Sequence, residues 1–401
     1  MSPRKPSSPS SKSPSERPGD LSVYLHFPFC LSKCPYCDFD SVPLSTAGGE
    51  TAARRYLDAM AIEMDMRAAS PEFLGAQLAT VYCGGGTPTT LPPEWLANLL
   101  ARLRLRFPWA ADAEVTVEAN PGAVSQAGVR TLLDAGVTRI SLGVQSFSDG
   151  VLRTLGRAHT AAQARAAVEA IRAAGCQNLN LDLIYGVPGQ TEAEWSASLE
   201  EAVACGPEHV SVYALSVEKG TPLAADIEAG RVAPPDDDLA AAMYLRAADS
   251  LSRAGYEHYE ISNFARPGRQ CRHNRRYWLS AEYLGLGCSA HSHRRGIRWN
   301  NWGGPEVYTQ WVERGVLPVE RAEALGPRRR LGEMLMLGLR LAEGVSEQEL
   351  ARACGLDVRE VFGREIARLC QAGMLLADAG RLRIPQDRWL LSDEVLSQFA
   401  A

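Results

Sequence analysis

Short apolar runs alternate with longer amphipathic stretches from Leu21 onward, and this alternation predicts the secondary structure of the first half of the chain. The runs are rich in β-branched residues, which is typical of buried parallel strands, and the longer stretches carry Ala, Leu and Arg at helical spacing. We predict strands at 22–26, 79–83, 114–118, 139–142, 178–183 and 209–213. Helices are predicted between them at 52–67, 94–104, 126–135, 161–174 and 192–205.

These six strand and helix repeats predict an α/β fold, a partial (β/α)6 barrel of the TIM type over residues 20–233. In a parallel barrel the loops after the strands converge on one cavity at the carboxyl ends of the strands. Most polar motifs in this part of the chain follow a predicted strand directly. We therefore expect them to share one site.

Three further regions are predicted from changes in the pattern. Residues 1–19 are mostly Ser, Pro, Lys and Arg and predict a disordered tail, with a transit peptide as the alternative. Residues 234–327, after Pro234 and Pro235, predict a mixed bridging region. Residues 328–401 predict helices at 329–341, 346–354 and 359–372 and a β-pair at 375–377 and 381–384, an order that resembles a winged-helix domain.

Composition narrows the classes of function. The formal net charge of -5 gives no general attraction to nucleic acid, and the chain has no apolar run of the roughly 18 residues that suggest a membrane span. We expect a cytoplasmic protein without a nucleic-acid partner. Five of the ten cysteines are expected to be small buried side chains, namely Cys83, Cys176, Cys205, Cys354 and Cys370.

Cys30, Cys34 and Cys37 form a C-x3-C-x2-C motif in the loop after the first strand. A structural zinc site normally has four protein ligands, whereas a cubane iron-sulfur cluster with three thiolates keeps one iron open to an outside ligand. This spacing, with Tyr36 before the last cysteine, resembles the radical S-adenosylmethionine (SAM) superfamily. The resemblance implies a [4Fe-4S] cluster whose free iron chelates the amino and carboxylate groups of SAM.

Polar motifs after the later strands support the resemblance. Gly84-Gly85-Gly86-Thr87 ends the second predicted strand, where glycines let a ligand approach the backbone. Glu118 and Asp182 are candidates for hydrogen bonds to ribose hydroxyls or the methionine amine, and Arg157 for a carboxylate. For each of these residues alone, an internal salt bridge is the competing interpretation.

Over roughly residues 21–390 the chain resembles the family of oxygen-independent coproporphyrinogen III oxidases and related heme chaperones. The resemblance implies that Cys30, Cys34 and Cys37 ligate the cluster. It also implies a set of cofactor contacts, with Tyr24 and Gly85 facing a second ligand. The implied contacts are Tyr24, Tyr36, Gly85, Gly86, Thr87, Glu118, Gln145, Arg157 and Asp182.

Two features separate the branches of this family. The oxidase branch has a further cysteine two residues after the last cluster cysteine, where this chain has Phe39, which can neither ligate metal nor relay protons. The His-Asn-x-x-Tyr-Trp motif at 273–278 resembles the heme chaperone branch and implies heme binding by His273, Tyr277 and Trp278. A buried structural histidine is the competing interpretation, and the Cys- and His-containing segment 285–293 is a second candidate.

Our first hypothesis is a heme chaperone that binds heme, a [4Fe-4S] cluster and SAM and transfers heme to an acceptor protein, such as a respiratory membrane enzyme. The alternative is an oxygen-independent coproporphyrinogen III oxidase of porphyrin biosynthesis that uses a 5'-deoxyadenosyl radical. A third hypothesis is a DNA-binding regulator that uses the winged-helix domain. The C-terminal helices carry interspersed acids, and packing against the barrel is favoured over this third role.

Overall fold

The computed structural model describes residues 20–400, so the predicted disordered tail at 1–19 lies outside the described residues. The strands are β1 (Asp20–Phe27), β2 (Phe29–Cys30), β3 (Val42–Pro43), β4 (Gln77–Gly85), β5 (Trp109–Ala119), β6 (Arg139–Gln145), β7 (Leu179–Tyr185), β8 (His209–Ala214), β9 (Glu257–Glu260), β10 (Asn263–Ala265), β11 (Tyr283–Leu286), β12 (His291–Arg294), β13 (Ile297–Asn301), β14 (Val319–Ala324), β15 (Val345–Ser346), β16 (Leu376–Asp378) and β17 (Arg381–Arg383).

The helices lie mainly between these strands. They are α1 (Gly49–Ala69), α2 (Pro93–Arg106), α3 (Gln126–Asp134), α4 (Asp149–Thr154), α5 (Ala161–Ala173), α6 (Glu192–Ala204), α7 (Pro222–Glu228), α8 (Asp237–Arg253), α9 (Arg272–Trp278), α10 (Pro305–Glu313), α11 (Pro327–Gly338), α12 (Glu347–Cys354), α13 (Val358–Gln371) and α14 (Ser392–Leu396). Within residues 20–400, none of the helices combines the length and the apolar character needed to cross a membrane.

One large sheet organises the molecule. Its strand order is β14-β13-β12-β11-β1-β4-β5-β6-β7-β8-β10-β9. The strands from β11 to β8 pair in parallel, whereas β12 to β14 at one edge and β9 and β10 at the other pair antiparallel. The predicted α/β partial barrel is confirmed, and all six predicted strands lie in its parallel part.

Local sequence explains why these elements form. In β1 the apolar residues Leu21, Val23, Leu25 and Phe27 are all buried in the core. Helices α5 and α6 each begin with a capping box, in which a threonine side chain and the residue three positions later satisfy each other's backbone N–H groups. Each cap fixes the start of a helix just after a barrel loop.

The parallel part of the sheet has a seventh strand that the sequence pattern did not reveal. β11 comes from the region predicted to bridge the barrel and the C-terminal domain, and it pairs in parallel with β1 from Ser22 to Leu25. It has only four residues, among them Gly285, so its pattern is too short to distinguish it from a loop. The same region also supplies strands to both edges of the sheet.

Residues from 327 onward have the element order of a winged helix, α11-β15-α12-α13-β16-β17, with a small sheet in the order β15-β17-β16. This domain packs against the barrel edge. Trp389 is buried and meets His258 of β9 edge-on, with ring centroids 4.4 Å apart. Ala342 N donates a hydrogen bond to Tyr259 O over 2.9 Å. The contact makes the domain part of the main core.

Candidate functional site

A cavity of about 410 Å³ opens at the carboxyl ends of the parallel strands. Every barrel strand from β1 to β8 in the parallel sheet sends residues to its wall, either from the strand end or from the following loop. The predicted site residues that line it are Cys30, Cys34, Tyr36, Cys37, Gly85, Gly86, Thr87, Glu118, Gln145, Arg157 and Asp182. The structure therefore brings eleven of the twelve predicted cluster and cofactor residues to one wall.

The loop with the three cysteines is held in place by contacts at both ends. β2, which contains Cys30, pairs in parallel with β3, and Cys37 N donates to Cys34 O over 3.1 Å. Pro35 lies against Gly156, where an added Cβ would be 2.5 Å from Pro35 Cδ. The loop thus presents three thiols and no fourth cysteine to the cavity, a donor set that fits a cubane cluster with one open iron.

The glycines at the end of β4 are explained by contacts within the protein. An added Cβ would lie 2.8 Å from the Glu118 carboxyl at Gly84, 2.5 Å from the His26 ring at Gly85 and 2.7 Å from Phe29 O at Gly86. The sequence argument had assigned these glycines to close approach of a ligand. The structure shows that packing of the β4 end against β1, β2 and β5 already requires them.

Glu118 and Asp182 place two carboxyl groups on the cavity wall. Glu118 lies on β5 and Asp182 on β7, the two strands that flank β6. Glu118 accepts hydrogen bonds from Tyr82 Oη at 2.7 Å and Gly85 N at 3.1 Å. Asp182 accepts from Asn180 Nδ2 at 2.8 Å and Ser141 Oγ at 3.1 Å. Burial raises the pKa of both carboxyl groups, since it disfavours the charged form, and the hydrogen bonds that they accept oppose this rise.

Arg157 and Gln145 lie beside the cysteine loop. Arg157 donates to Cys34 Sγ at 3.3 Å and to Gly143 O at 3.2 Å, so its positive charge lies next to the thiol of a predicted cluster ligand. Gln145 has a left-handed backbone with φ of 65°, and its Oε1 has no hydrogen-bond partner among residues 20–400. A strained residue with an unsatisfied oxygen on a cavity wall is typical of a ligand contact.

Tyr24 is the predicted cofactor residue that does not line the cavity. Its ring stacks on Tyr82 with centroids 6.2 Å apart, and its hydroxyl lies 3.1 Å from His26 Nδ1. Because Tyr82 donates to Glu118, Tyr24 supports the cavity wall through its neighbours. It lies one layer of side chains deeper in the barrel.

The three predicted heme residues lie on α9, near the amino ends of the strands. His273 Nδ1 lies 2.8 Å from Thr80 Oγ1, at the fourth residue of β4. The His273 ring also lies against Tyr82, with ring centroids 5.1 Å apart, and Tyr82 lines the cavity. His273 therefore lies beneath the cavity, separated from it by the Tyr82 side chain.

Both ring nitrogens of His273 have hydrogen-bond partners. Thr80 Oγ1 donates its own hydrogen to Ser22 Oγ at 2.7 Å, so it must accept the His273 Nδ1 hydrogen. Nε2 then carries a lone pair and accepts from Tyr277 Oη at 2.9 Å. Burial, followed by the charges of Arg276 and Arg139, lowers the pKa of His273 to about 3, which keeps the imidazole neutral.

The other candidates for heme contact differ in exposure. Trp278 is half-buried, with the Arg340 guanidinium 5.1 Å from the ring centroid. In the second candidate segment, Cys288 and His293 are buried and His291 is exposed. Neither Trp278 nor this segment lines the cysteine cavity.

The sequence argument missed several residues of the cavity wall. The end of β8 and the loop after it line the cavity beside Asp182, with Tyr213 and Ala214 in the strand and Leu215, Ser216 and Glu218 in the loop. They occupy the strand-end position that identified the other motifs, so the same signal was available for them. The β8 segment has no glycine or charged tip before Glu218, which made its motif inconspicuous.

The partial barrel and its three-cysteine loop define a radical SAM protein. The model of the Radical SAM superfamily matches residues 24–202, and that of the HemN C-terminal domain matches residues 325–391. A protein of Mycobacterium tuberculosis named heme chaperone HemW is 41% identical over 364 residues, covering 89% of this chain and 93% of the relative. The chain belongs to this HemW family within the radical SAM superfamily.

Two further comparisons agree with the family. A heme chaperone HemW of Synechocystis is 38% identical over 338 residues, covering 82% of this chain and 80% of the relative. The solved structure of Escherichia coli HemN, described as a coproporphyrinogen III oxidase and a radical SAM enzyme, aligns with a TM-score of 0.82 and 25% identity. That alignment covers 96% of this chain and 91% of HemN, so the C-terminal domain is shared as well as the barrel.

Proposed function

We propose that this protein is a heme chaperone that binds heme, carries a [4Fe-4S] cluster with SAM, and passes heme to an acceptor protein in the cytoplasm or at the membrane. The observation that carries the proposal is the match of nearly the whole chain to relatives named heme chaperones. The acceptor class, a respiratory membrane enzyme, is part of the proposal.

In this proposal Cys30, Cys34 and Cys37 ligate the cluster, which when bound offers one iron to the amine and carboxylate of SAM and supplies an electron for its cleavage. Arg157 stabilises the thiolate of Cys34 through their 3.3 Å contact. Tyr36 packs on the apolar cluster that contains Leu155 and Ile184, which keeps the loop from moving away from the cavity.

The wall residues hold SAM. Glu118 and Asp182 offer carboxylate oxygens to the ribose hydroxyls or the amine, and Gln145 Oε1 offers a free acceptor. Gly85, Gly86 and Thr87 line the cavity at the end of β4, where their N–H groups already donate within the protein. Tyr24 supports Glu118 through Tyr82.

For heme, we propose that His273 Nε2 ligates the iron after Tyr277 Oη moves away. The hydrogen bond from Nδ1 to Thr80 fixes the tautomer whose Nε2 lone pair an iron needs, and the low pKa of His273 keeps the ring neutral. Tyr277 and Trp278 would contact the porphyrin face, and Arg275, on the same helix, a propionate.

An anaerobic titration with heme tests this proposal. Reconstituted protein should develop a Soret band with about one heme per chain, and His273→Ala should lose or shift it. His258→Ala is the matched control, because His258 is also largely buried and has a pKa lowered to about 4, but it lies on β9. Equal spectra for the two variants would contradict ligation by His273, and no Soret band in the parent protein would contradict heme binding.

The alternative function is coproporphyrinogen III oxidation, which the likeness to the HemN structure over the whole barrel favours. Against it, Phe39 is 59% exposed on the cavity wall at the position where the oxidase branch has a cysteine. Anaerobic incubation with coproporphyrinogen III, SAM and a reductant decides between them. Formation of protoporphyrinogen IX would support the oxidase function. Absence of this product from protein with an intact cluster would rule the oxidase function out.

Heme transfer needs a separate test. Heme-loaded protein, mixed with a heme-depleted respiratory membrane subunit, should lose its Soret absorbance as the acceptor gains heme. The variant in which Cys30, Cys34 and Cys37 are all replaced by alanine tests whether the cluster is needed for transfer as distinct from heme binding. Retained heme on the parent protein, with no gain by the acceptor, would contradict the chaperone role.

A further inference from the structure

A second set of metal-ligating side chains lies behind the cysteine loop. His26 is the next-to-last residue of β1, Asp40 comes three residues after Cys37, and Cys288 follows β11 by two residues. One imidazole nitrogen, one carboxylate oxygen and the thiol sulfur lie within 4.8 Å of one another. None of the three residues lines the cluster cavity.

The donor types select a class of metal. Imidazole, thiolate and carboxylate together suit zinc and similar divalent ions, whose ligand bonds of about 2.0–2.3 Å put neighbouring ligand atoms about 3–4 Å apart. The three ligand atoms would therefore approach one another by between a fraction of an ångström and a few ångströms in total when an ion binds. The chain segments that carry them are already fixed by strand pairing on either side.

Each of the three side chains is oriented by a neighbouring polar group. Asp40 Oδ2 accepts from Ser289 Oγ at 2.6 Å and from Gly304 N at 2.8 Å. Tyr56 Oη lies 3.6 Å from Cys288 Sγ. In protein metal sites the ligating side chains are typically held in orientation by hydrogen bonds to other residues.

His26 can present the nitrogen that a metal needs. Its Nε2 now lies 2.9 Å from Asp40 O, and its Nδ1 lies 3.1 Å from Tyr24 Oη. On metal binding the imidazole would change to the form with hydrogen on Nδ1, which donates to Tyr24 Oη and leaves the Nε2 lone pair for the ion. Cys288 would release its thiol proton to solvent, so one proton leaves for each ion bound.

A separate cavity of about 420 Å³ between α1 and α10 has Tyr56 and Gly304 on its wall. Tyr56 contacts Cys288, and Gly304 N donates to Asp40. Glu306 lies on the same wall, where it pairs with Arg55 at 2.9 Å. This cavity shares no lining residue with the cluster cavity, so the side of the site that faces Tyr56 and Gly304 is separate from the cysteine loop.

We propose that His26, Asp40 and Cys288 bind one divalent ion of the zinc type, with water as the fourth ligand. The ion would link the segment that follows Cys37 to the segment that follows β11. Since that chain continues into β3, which pairs with β2 at Cys30, the metal would hold the cysteine loop in its cluster-binding shape.

The test uses Co²⁺ as the probe on anaerobically prepared protein whose cluster is already assembled, so that the three cluster cysteines are occupied. Wild type should bind one Co²⁺ per chain with a sulfur-to-cobalt absorption band, and Zn²⁺ should displace it. Cys288→Ser should abolish the band and weaken binding at least about tenfold. Cys205→Ser, at the end of α6, is the matched control and should bind as wild type does.

Asp40→Asn and His26→Gln provide the same test if Cys288→Ser fails to fold, which circular dichroism would reveal. Each should weaken Co²⁺ binding at least about tenfold without lowering the iron and sulfide content measured before cobalt is added. No cobalt band in wild type, or bands of equal strength in Cys288→Ser and Cys205→Ser, would mean that the three side chains form only a hydrogen-bonded cluster.

Discussion

At the scale of single residues, the contact between Gly156 and Pro35 fixes the shape of the cysteine loop. Gly156 has a φ of 63°, and its missing side chain leaves room for Pro35, between Cys34 and Tyr36. Leu223 N also donates to Pro35 O at 2.9 Å, so the loop is held from two sides. The positions of the three proposed cluster ligands depend on these contacts, although none of the contacts involves a thiol.

Gly156→Ala should therefore reduce cluster binding. The new Cβ would lie 2.5 Å from Pro35 Cδ and push the loop outward, at a cost of about 1–3 kcal/mol beyond the backbone strain. Gly189→Ala is the matched control, since Gly189 has a similar φ of 78° with no atom within 4 Å of an added Cβ. Urea unfolding and iron and sulfide content measure both effects; equal losses in the two variants would refute the steric argument.

His273 is a residue whose protonation should control stability. Its pKa is about 3 in the folded protein, because burial disfavours the charged ring, against about 6.5 when unfolded. A base with a lowered pKa contributes stability that is complete above pH 6.5 and is lost as pH falls toward 3. Acid should therefore loosen α9 and its contact with Thr80.

The comparison of wild type with His273→Gln isolates this contribution. Between pH 7.5 and pH 5, wild type should lose about 2 kcal/mol more free energy of unfolding than the variant. The measurement is urea unfolding of cluster-free protein at both pH values. Parallel losses in the two proteins would mean that His273 is not the titrating group.

At the scale of elements, β9 joins the barrel to the C-terminal domain through a buried carboxyl group. Glu260 ends β9, forms an isolated bridge with Leu341 and accepts a hydrogen bond from Asn263. Burial raises the pKa of Glu260 to about 7, although hydrogen bonds from Asn263 and Ser262 oppose the rise. The junction thus contains an acid that the fold prefers protonated.

An acid with a raised pKa contributes stability below about pH 4.5, which is lost as pH rises toward 7. Between pH 5 and pH 8, wild type should lose about 2–3 kcal/mol relative to Glu260→Gln, measured by urea unfolding. Glu257→Gln, at the exposed end of the same strand, should follow wild type. A Glu260→Gln profile parallel to wild type would argue that the carboxylate is stabilised when charged.

At the scale of the whole molecule, the C-terminal domain and the barrel form one core. Trp389 is 1% exposed and contacts the β9 edge, and Gln386 Nε2 donates to His258 O at 2.9 Å. We expect the two parts to unfold together, because neither buries this surface alone.

Trp389→Ala should lower the free energy of unfolding by about 3–5 kcal/mol, since it leaves a cavity at this junction. The adjacent Leu390 is 43% exposed, so Leu390→Ala should cost less than about 1 kcal/mol. Thermal unfolding measures both. If Trp389→Ala unfolded with an unchanged midpoint, the domain would not contribute to the common core.

The sequence by itself determined the repeating strands and helices, the three-cysteine loop and most of the strand-end motifs, because each of these depends on neighbours within a few residues. The barrel rule then put eleven site residues on one wall without knowledge of their contacts. Family resemblance distinguished the heme chaperone branch from the oxidase branch through Phe39 and His273. The hydrophobic pattern did not reveal strand β11, and the strand-end argument did not identify Tyr213 as a residue of the cavity wall.

Only the tertiary structure decided which distant residues meet. It put Tyr24 below the cavity wall, gave both nitrogens of His273 partners, and brought His26 and Asp40 to Cys288. These outcomes depend on strand register and on packing between segments up to 262 positions apart in the chain, from 26 to 288. Local periodicity carries no information about such pairings, since it is set by burial of one face and not by the partner across it.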